Sequence, residues 1–474
     1  QALVRELSDA RAFRERLALR GRLAEDGSAG YRSDRLLRFL EARFPYATLA
    51  RHSRLLLVLA GLNLALWWWQ HQHGGRAWWA LSFGIYGLAS LRHAGLVLPS
   101  FEVANALGDG LEQLRGVLDL LERQTDPRRP RLAALCRPLV EDGPSAALSG
   151  LRRTIAAAAL RGNIFVWLPL NALLPWDHLV ALRLERQRAQ LAAQLPGWLE
   201  IWWDLEAAAA LANLAWLDPG LSFPEILDTH GEGGPGSGGN ARPLLRATGL
   251  CHPLLPDAVK VGNDLRIDRL GEVHLITGSN MAGKSTWLRS VGINLSLAFA
   301  GGPVDARSFE TIPLALFACT RVSDSLTDGI SYFYAEVQRL RALLDSFEAA
   351  PAAPLLWLVD EIFRGTNNRE RRIGSTAMIE AMAGLNGVGM VSTHDLELAE
   401  LAGRVDAIHN FHFRERVEGR RLLFDFRLRP GPCPSSNALL LMAAAGLPVD
   451  PHAADLAPDL ADGDAGSDSV SKQA

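Results

Sequence analysis

Through the N-terminal segment, Leu3, Val4, Leu7, Phe13 and Leu17 fall near helical spacing among Arg, Glu and Asp. Residues 1–54 therefore read as charged amphipathic helices, interrupted around Gly27-Ser28-Ala29-Gly30. The pattern then changes abruptly. Leu55 to Trp69 is apolar on every face, Gln70 to Arg76 is a polar turn, and Ala77 to Leu91 is apolar again, which predicts a hairpin of two hydrophobic helices within 55–98. Each arm of about 15 residues reaches roughly 22 Å, short of the roughly twenty residues that usually cross a bilayer. The flanks point to a membrane. Arg51 and Arg54 precede the first arm, Arg92 follows the second, and Trp67, Trp68, Trp69, Trp78 and Trp79 gather at the turn, giving a positive side and an aromatic belt. A hairpin buried inside a large helical domain is the other reading this pattern permits.

From Phe101 to about Trp216, the spacing of Leu111, Leu114, Val117, Leu118 and Leu121, and later of Leu182, Leu184 and Leu191, predicts a helical scaffold. Ile164 to Trp176 is apolar, but Pro169, Pro175 and the following Asp177-His178 favour scaffold over a third span. Thr229 to Gly239 is a Gly/Pro/Ser run and reads as a linker. Beyond it, strand-like and helical runs alternate: Val273 to Ile276, a helix from about Lys284, Leu355 to Val359, a helix from about Ile373, then Gly389 to Ser392. Such alternation predicts a largely parallel α/β sheet. After about Pro451 no apolar period remains, and the segment reads as an acidic, disordered tail. The predicted layout is a helical start (1–54), the hydrophobic hairpin (55–98), a helical domain (99–228), a Gly-rich linker (229–240), an α/β domain (241–450) and a tail (451–474). The fold class is α plus α/β: a helical scaffold followed by a P-loop domain with a largely parallel sheet.

Composition narrows this. Of 474 residues, 48% are hydrophobic and 21% charged, ample for folded cores. A net charge of −3 argues against a uniformly basic nucleic-acid binder, so any such contact is regional. Cys136, Cys251, Cys319 and Cys433 stand far apart without a C-x-x-C pair, which speaks against a disulfide framework or zinc site and for a reducing compartment. Only Lys260, Lys284 and Lys472 are lysines among the 49 basic residues, so each lysine calls for a reason.

Lys284 has one. Gly278-Ser279-Asn280-Met281-Ala282-Gly283-Lys284-Ser285, followed by Thr286, matches G-x-x-x-x-G-K-[ST] between an apolar strand and a helix. Glycines let backbone N–H groups face phosphate oxygens, Lys284 reaches the β- and γ-phosphates, and Ser285 can ligate Mg2+. Leu355 to Val359 delivers Asp360 and Glu361 to the sheet's C-terminal edge. There Asp360 is placed to hold Mg2+ through water, and Glu361 to polarise an attacking water. The run ending at Thr393-His394-Asp395 sets His394 near the γ-phosphate as a sensor; a satisfied histidine at a strand end is the plainer alternative.

The stretches ITGSNMAGKSTWLR, LVDEIFRGTN and STHDLELAEL, in this order and spacing, resemble the three nucleotide motifs of the MutS mismatch-repair ATPases, with Asn280-Met281 especially typical. Thr320 to Glu336 resembles the segment that reaches a partner's nucleotide across a dimer, which makes Ser331 the candidate trans contact. His252-Pro253-Leu254 and Asn263-Asp264 resemble the lead-in to the ATPase domain, and Asn437 to Pro448 its dimerising helical region. The resemblance implies an ATPase that uses ATP and Mg2+ as a homodimer, with Glu361, His394 and Lys284 catalytic. Gly278 to Thr286 would bind ATP, and Ser285 and Asp360 would hold Mg2+. It also implies that hydrolysis gates DNA held between helical arms, in mismatch repair or a related repair or recombination process.

The departures shape a second reading. Mismatch-reading members carry an N-terminal domain with a Phe-x-Glu wedge, which this sequence does not place before its helical scaffold. Its literal match, Phe223-Pro224-Glu225, lies beside the linker and reads as structural. Family members usually set an aromatic under adenine just before the Asn263 position, where Val259, Lys260 and Val261 stand. The hairpin resembles a bacterial branch with membrane-like segments. Two functions are thus expected in competition: a cytoplasmic DNA-processing ATPase, or the same motor attached to the cytoplasmic membrane through 55–91 and acting on another partner. His71 and His73 read as polar turn residues rather than metal ligands, and His409 and His412 as decoration on a strand. Arg364, Arg369, Arg371 and Arg372 fit either phosphate or partner contacts or a solvated helix start.

Overall fold

The computed structural model describes residues 1–26, 40, 46–92, 95, 97, 101, 108–227, 243–279, 281–320, 332–349, 353–363, 366–418 and 421–434. Asn280, Ser331, Arg364, the Gly-rich run, Asn437 to Pro448 and the acidic tail lie outside the described residues. The chain divides into two compact units, Ala2–Trp216 and Leu217–Ala474 with Gln1. That division falls ahead of the Gly-rich run, because a short strand before the run already belongs to the second unit's sheets.

The first unit is helical: α1 (Ala2–Ser8), α2 (Arg11–Asp26), α3 (Tyr46–His73), α4 (Trp78–Arg92), α5 (Gly108–Glu122), α6 (Pro130–Asp142), α7 (Pro144–Ala159), α8 (Ile164–Leu173) and α9 (Trp176–Leu217). The apolar stripe of α5 turns Leu111, Leu114, Val117, Leu118 and Leu121 inward, where the helix meets α2, α6 and α7. Each such side chain contributes roughly 1.5–3 kcal/mol when fully buried. The predicted hairpin is α3 and α4, packed on each other over Leu56, Ala60 and Tyr86. Its first arm begins well before Leu55, since Tyr46 to Arg54 continues the same helix, and α3 is long and apolar enough to cross a membrane.

The second unit holds two sheets. The strands are β1 (Glu225–Ile226), β2 (Leu245–Leu250), β3 (Asn263–Ile267), β4 (Val273–Thr277), β5 (Ser308–Thr311), β6 (Ala315–Cys319), β7 (Leu355–Asp360), β8 (Gly387–Ser392), β9 (Ile408–Glu418) and β10 (Arg421–Pro430). Among the described residues, the α-helices that join them are α10 (Lys284–Phe299), α11 (Tyr332–Glu348) and α12 (Asn368–Met382). A six-stranded sheet runs β10-β9-β4-β8-β7-β6 and a four-stranded one β1-β5-β2-β3. Among the described residues of the larger sheet, only the β9–β10 pair is antiparallel. All residues of β4, β7 and β8 are buried, as expected of parallel strands covered on both faces. Alternation sorts them: Leu356 and Leu358 join Leu288, Val291 and Leu295 of α10, while Trp357 and Val359 join Leu343 of α11 and Ile379 of α12. Ser392 pairs with both Ile276 and Asp360. The C-terminal ends of β4, β7 and β8 therefore lie level, at the edge where α/β sheets bind ligands.

Candidate functional site

The site begins where β4 gives way to α10. The backbone of Gly278 sits at φ 141 and that of Gly283 at φ 108. A Cβ on Gly278 would stand 2.8 Å from the Phe413 carbonyl oxygen, so the turn excludes side chains there. Gly283 occupies the cap position of α10 without a side-chain hydrogen bond, leaving first-turn N–H groups to an anion. Lys284 is 4% exposed, and its ammonium donates to the carbonyls of Gly278 at 2.6 Å and Ser279 at 2.9 Å. Those bonds fold it back over the loop. Ser279 donates to Glu415 at 3.0 Å, tying the loop to β9.

Level registers bring distant residues together. Asp360 Oδ1 accepts from Ser285 Oγ at 2.8 Å and from Ser392 Oγ at 2.5 Å. The Arg289 guanidinium lies 4.0 Å from its other oxygen. Glu361 follows with φ 60, a left-handed turn that costs a non-glycine residue on the order of 1–3 kcal/mol, and its N–H donates to the Ser392 carbonyl at 3.1 Å. His394 Nδ1 stands 3.7 Å from Glu361 Oε1. A hydrogen-bonded hydroxyl–carboxylate pair, an ammonium over the loop and a carboxylate beside an imidazole thus share one edge. Of the predicted site residues, Lys284, Ser285, Asp360, Glu361 and His394 meet here. Thr286 lies one residue further along α10 and lines the adjoining cavity, Ala282 is buried in the core, and Met281 faces solvent. Asn280 and Ser331 fall outside the described residues.

Sequence reasoning missed the adjoining cavity of about 250 Å³. Leu250, Val259, Val261, Trp287, Phe413 and Phe426 give it apolar walls beside Gly283 and Thr286. Phe426 comes from an irregularity in the β9–β10 pairing, with φ 52. Asn263 holds that irregularity by donating to the Phe426 carbonyl at 2.9 Å and accepting from Leu428 N–H at 2.7 Å. A Cβ on Gly283 would lie 3.2 Å from the Phe426 ring, so the aromatic covers the end of the loop. Trp287 Nε1 is buried and has no hydrogen-bond partner among the described residues.

Lys260 stands in the same wall, its ammonium 2.9 Å from Asp257, 3.1 Å from Asp305 and 3.5 Å from Asp218. Burial would lower its pKa, but the hydrogen bonds to Asp257 and Asp305 outweigh that and raise it above the usual lysine value. This lysine pins the wall rather than facing a ligand as an aromatic would. Burial, and then Arg289, holds the neighbouring His252 imidazole below its usual pKa.

The minor features are local. His71 stacks on Trp67 and His73 on Trp69. His412 Nδ1 is 2.9 Å from the Gly431 carbonyl. Arg371 donates to Asn368, and Arg372 pairs with Glu397. Among the described residues, no group of three or more His, Cys, Asp or Glu side chains can hold a metal.

Residues 274–456 match MutS domain V, a stretch that takes in the loop, Asp360, Glu361, His394 and Phe426. The DNA mismatch repair protein MutS of Chlorobium phaeobacteroides is 34% identical over 247 residues, 50% of this chain and 28% of that protein. Its namesake in Nitratidesulfovibrio vulgaris is 35% identical over 193 residues, 40% of this chain and 21% of that one. The one in Desulfovibrio desulfuricans is 32% identical over 269 residues, 56% and 27%. The chain thus spans between 21% and 28% of the length of these relatives. Through residues 274–456, the stretch that builds this site, the chain is similar to the MutS family.

Proposed function

We propose that the chain is an ATPase of the MutS type, binding ATP across the Gly278–Ser285 loop and the neighbouring cavity and hydrolysing it between two copies of the chain. The observation that carries this reading is the joining of Ser285 and Asp360 at 2.8 Å, with Glu361 next in sequence. A serine hydroxyl and one buried carboxylate are hard oxygen donors. They suit an Mg2+ ion shared with phosphates better than an ion caged wholly by protein. Ser285 and Asp360 would hold that ion, which when bound supplies positive charge to the phosphate oxygens.

Lys284 would leave the loop carbonyls for the β- and γ-phosphate oxygens. The apolar cavity would take the base, with Phe426 supplying the aromatic face that Lys260 does not. Glu361 would accept a proton as water attacks the γ-phosphorus and the bond to the β-phosphate oxygen breaks, giving ADP and phosphate. His394, within reach of Glu361, would orient that water. Ser331 of the partner subunit is the proposed cap on the γ-phosphate. Closing and opening of this composite site would gate DNA, a reading supported by the likeness to proteins named for DNA mismatch repair. If Asp360→Asn leaves Mg2+-dependent ATP turnover intact, the metal and catalytic assignment is wrong. Binding to homoduplex, mismatched and branched DNA across salt concentration tests the DNA arm. Salt-sensitive, nucleotide-responsive binding supports it, and none at all removes it.

A second reading keeps the ATPase but attaches it to a membrane. The exposed apolar faces of α3 and α4 favour it. Recovery of the full chain in the soluble fraction without detergent would count against it.

A further inference from the structure

The helical hairpin is packed in reverse of a water-soluble helix pair. The buried positions of α3 and α4 include Ser53, Asn63 and Ser82 beside Leu56, Ala60 and Tyr86. The Asn63 amide and the Ser82 hydroxyl have no hydrogen-bond partner among the described residues. Leu57, Val58, Leu62, Leu81, Ile85 and Leu88 all face outward. Only 22% of the most apolar window of α3 is buried. In water the apolar stripe turns inward. Against hydrocarbon the preference inverts, with small and polar side chains between helices and large apolar ones outside.

Helix α8 extends the same surface. None of its residues is buried, and Phe165 is 88% exposed. It leaves the preceding helical stretch, Pro130–Gly162, at 106°. The Tyr86 hydroxyl of α4 donates to its Asn171 carbonyl at 2.7 Å. Its ten residues reach roughly 15 Å, about half a hydrocarbon core, so it cannot cross.

Charge identifies the occupant. Between Arg43 and Phe101 there is no Asp or Glu, while Arg43, Arg51, Arg54, Arg76 and Arg92 are basic; Asn163 to Trp176 carries no charge. The tryptophans Trp67, Trp68, Trp69 and Trp78 are exposed around the hairpin turn, the position of an interfacial aromatic belt. Basic residues flanking such a segment match anionic headgroups.

We infer that α3, α4 and α8 form one lipid-facing surface for an anionic bilayer, the hairpin inserted and α8 lying in the interface beside it. This rests on the membrane-attached reading and adds a third helix to it. The test is flotation of the full-length protein, exchanged from detergent into vesicles of phosphatidylcholine alone or with phosphatidylglycerol. The wild type is expected to float, more completely with phosphatidylglycerol. The double variant Phe165→Glu/Leu168→Glu should lower the bound fraction on the order of tenfold, because binding scales with buried apolar area, and Phe165→Leu should restore it. Both α8 variants should keep wild-type thermal unfolding, since the altered side chains are exposed. If the wild type floats with neither vesicle, the membrane reading falls and this inference with it. If the wild type floats, Val58→Asp/Leu88→Asp does not, and the α8 variant floats as well as wild type, the membrane reading stands and the role of α8 is refuted. Concentration-dependent self-association abolished by the α8 substitutions, in place of vesicle binding, would assign the surface to a second copy and overturn the inference.

Discussion

Strand β7 and the Leu55–Trp69 stretch of helix α3 both come from strongly apolar runs, yet they end in opposite surroundings. Every residue of β7 is buried between helical layers, and its polar chemistry waits at its end, in Asp360 and Glu361. Helix α3 is covered along one side by α4 and leaves Leu57, Val58 and Leu62 exposed, with Asn63 turned inward. An apolar run announces avoidance of water but not what replaces it. In the sheet the replacement is the chain's own core, and for the hairpin we propose a lipid surface.

Four changes probe that contrast. The largest effect belongs to Lys284→Ala. Removing the ammonium from the loop should lower ATP turnover on the order of 10²–10³-fold or more, read by phosphate release. A paired truncation comes next. Leu288→Ala, at a fully buried position beneath the sheet, should cost about 2–5 kcal/mol in urea unfolding. Leu88→Ala, 71% exposed on the hairpin, should cost less than about 0.5 kcal/mol in the same measurement on detergent-solubilised protein. Equal costs would erase the distinction between the two regions. Phe426→Ala should weaken ATP binding on the order of tenfold, the worth of one aromatic face under a base, measured by nucleotide titration. The smallest effect is a protection. Burial pushes the Cys136 thiol up to about 12 and the Cys319 thiol up to about 11, so at pH 8 their thiolate fractions are about 10⁻⁴ and 10⁻³. A thiol reagent should leave both unmodified until the protein unfolds, as peptide mapping would reveal.

Elements built from continuous patterns were legible in the sequence. The runs Val273 to Ile276, Leu355 to Val359 and Gly389 to Ser392 all lie within observed strands, each extending one or two residues further. Helix α12 starts at Asn368, earlier than the apolar period suggests. Its start is set by a cap, Asn367 accepting from Glu370 N–H at 3.0 Å, which carries no hydrophobic signal. The smaller sheet was not read, because β2 and β3 alternate buried with exposed positions over only a few residues. In the site, local motif spacing was enough to single out Lys284, Ser285, Asp360 and Glu361. Ser392 and Phe426 were not, since Ser392 reaches Asp360 only through strand register and Phe426 reaches Gly283 only through the irregular β9–β10 pairing. Which way the hairpin faces was likewise beyond the sequence pattern, because the Leu55 to Trp69 stretch reads as apolar on every face.

The central claim is that the edge of the sheet hydrolyses ATP with Glu361 as the group that takes the proton from water. It is tested most directly by comparing ATP binding and single-turnover hydrolysis in Glu361→Gln and wild type, since the substitution keeps shape and removes only the base. Nucleotide affinity should be retained while the hydrolysis rate falls on the order of 10²–10⁴-fold. Hydrolysis at the wild-type rate by Glu361→Gln would contradict the account.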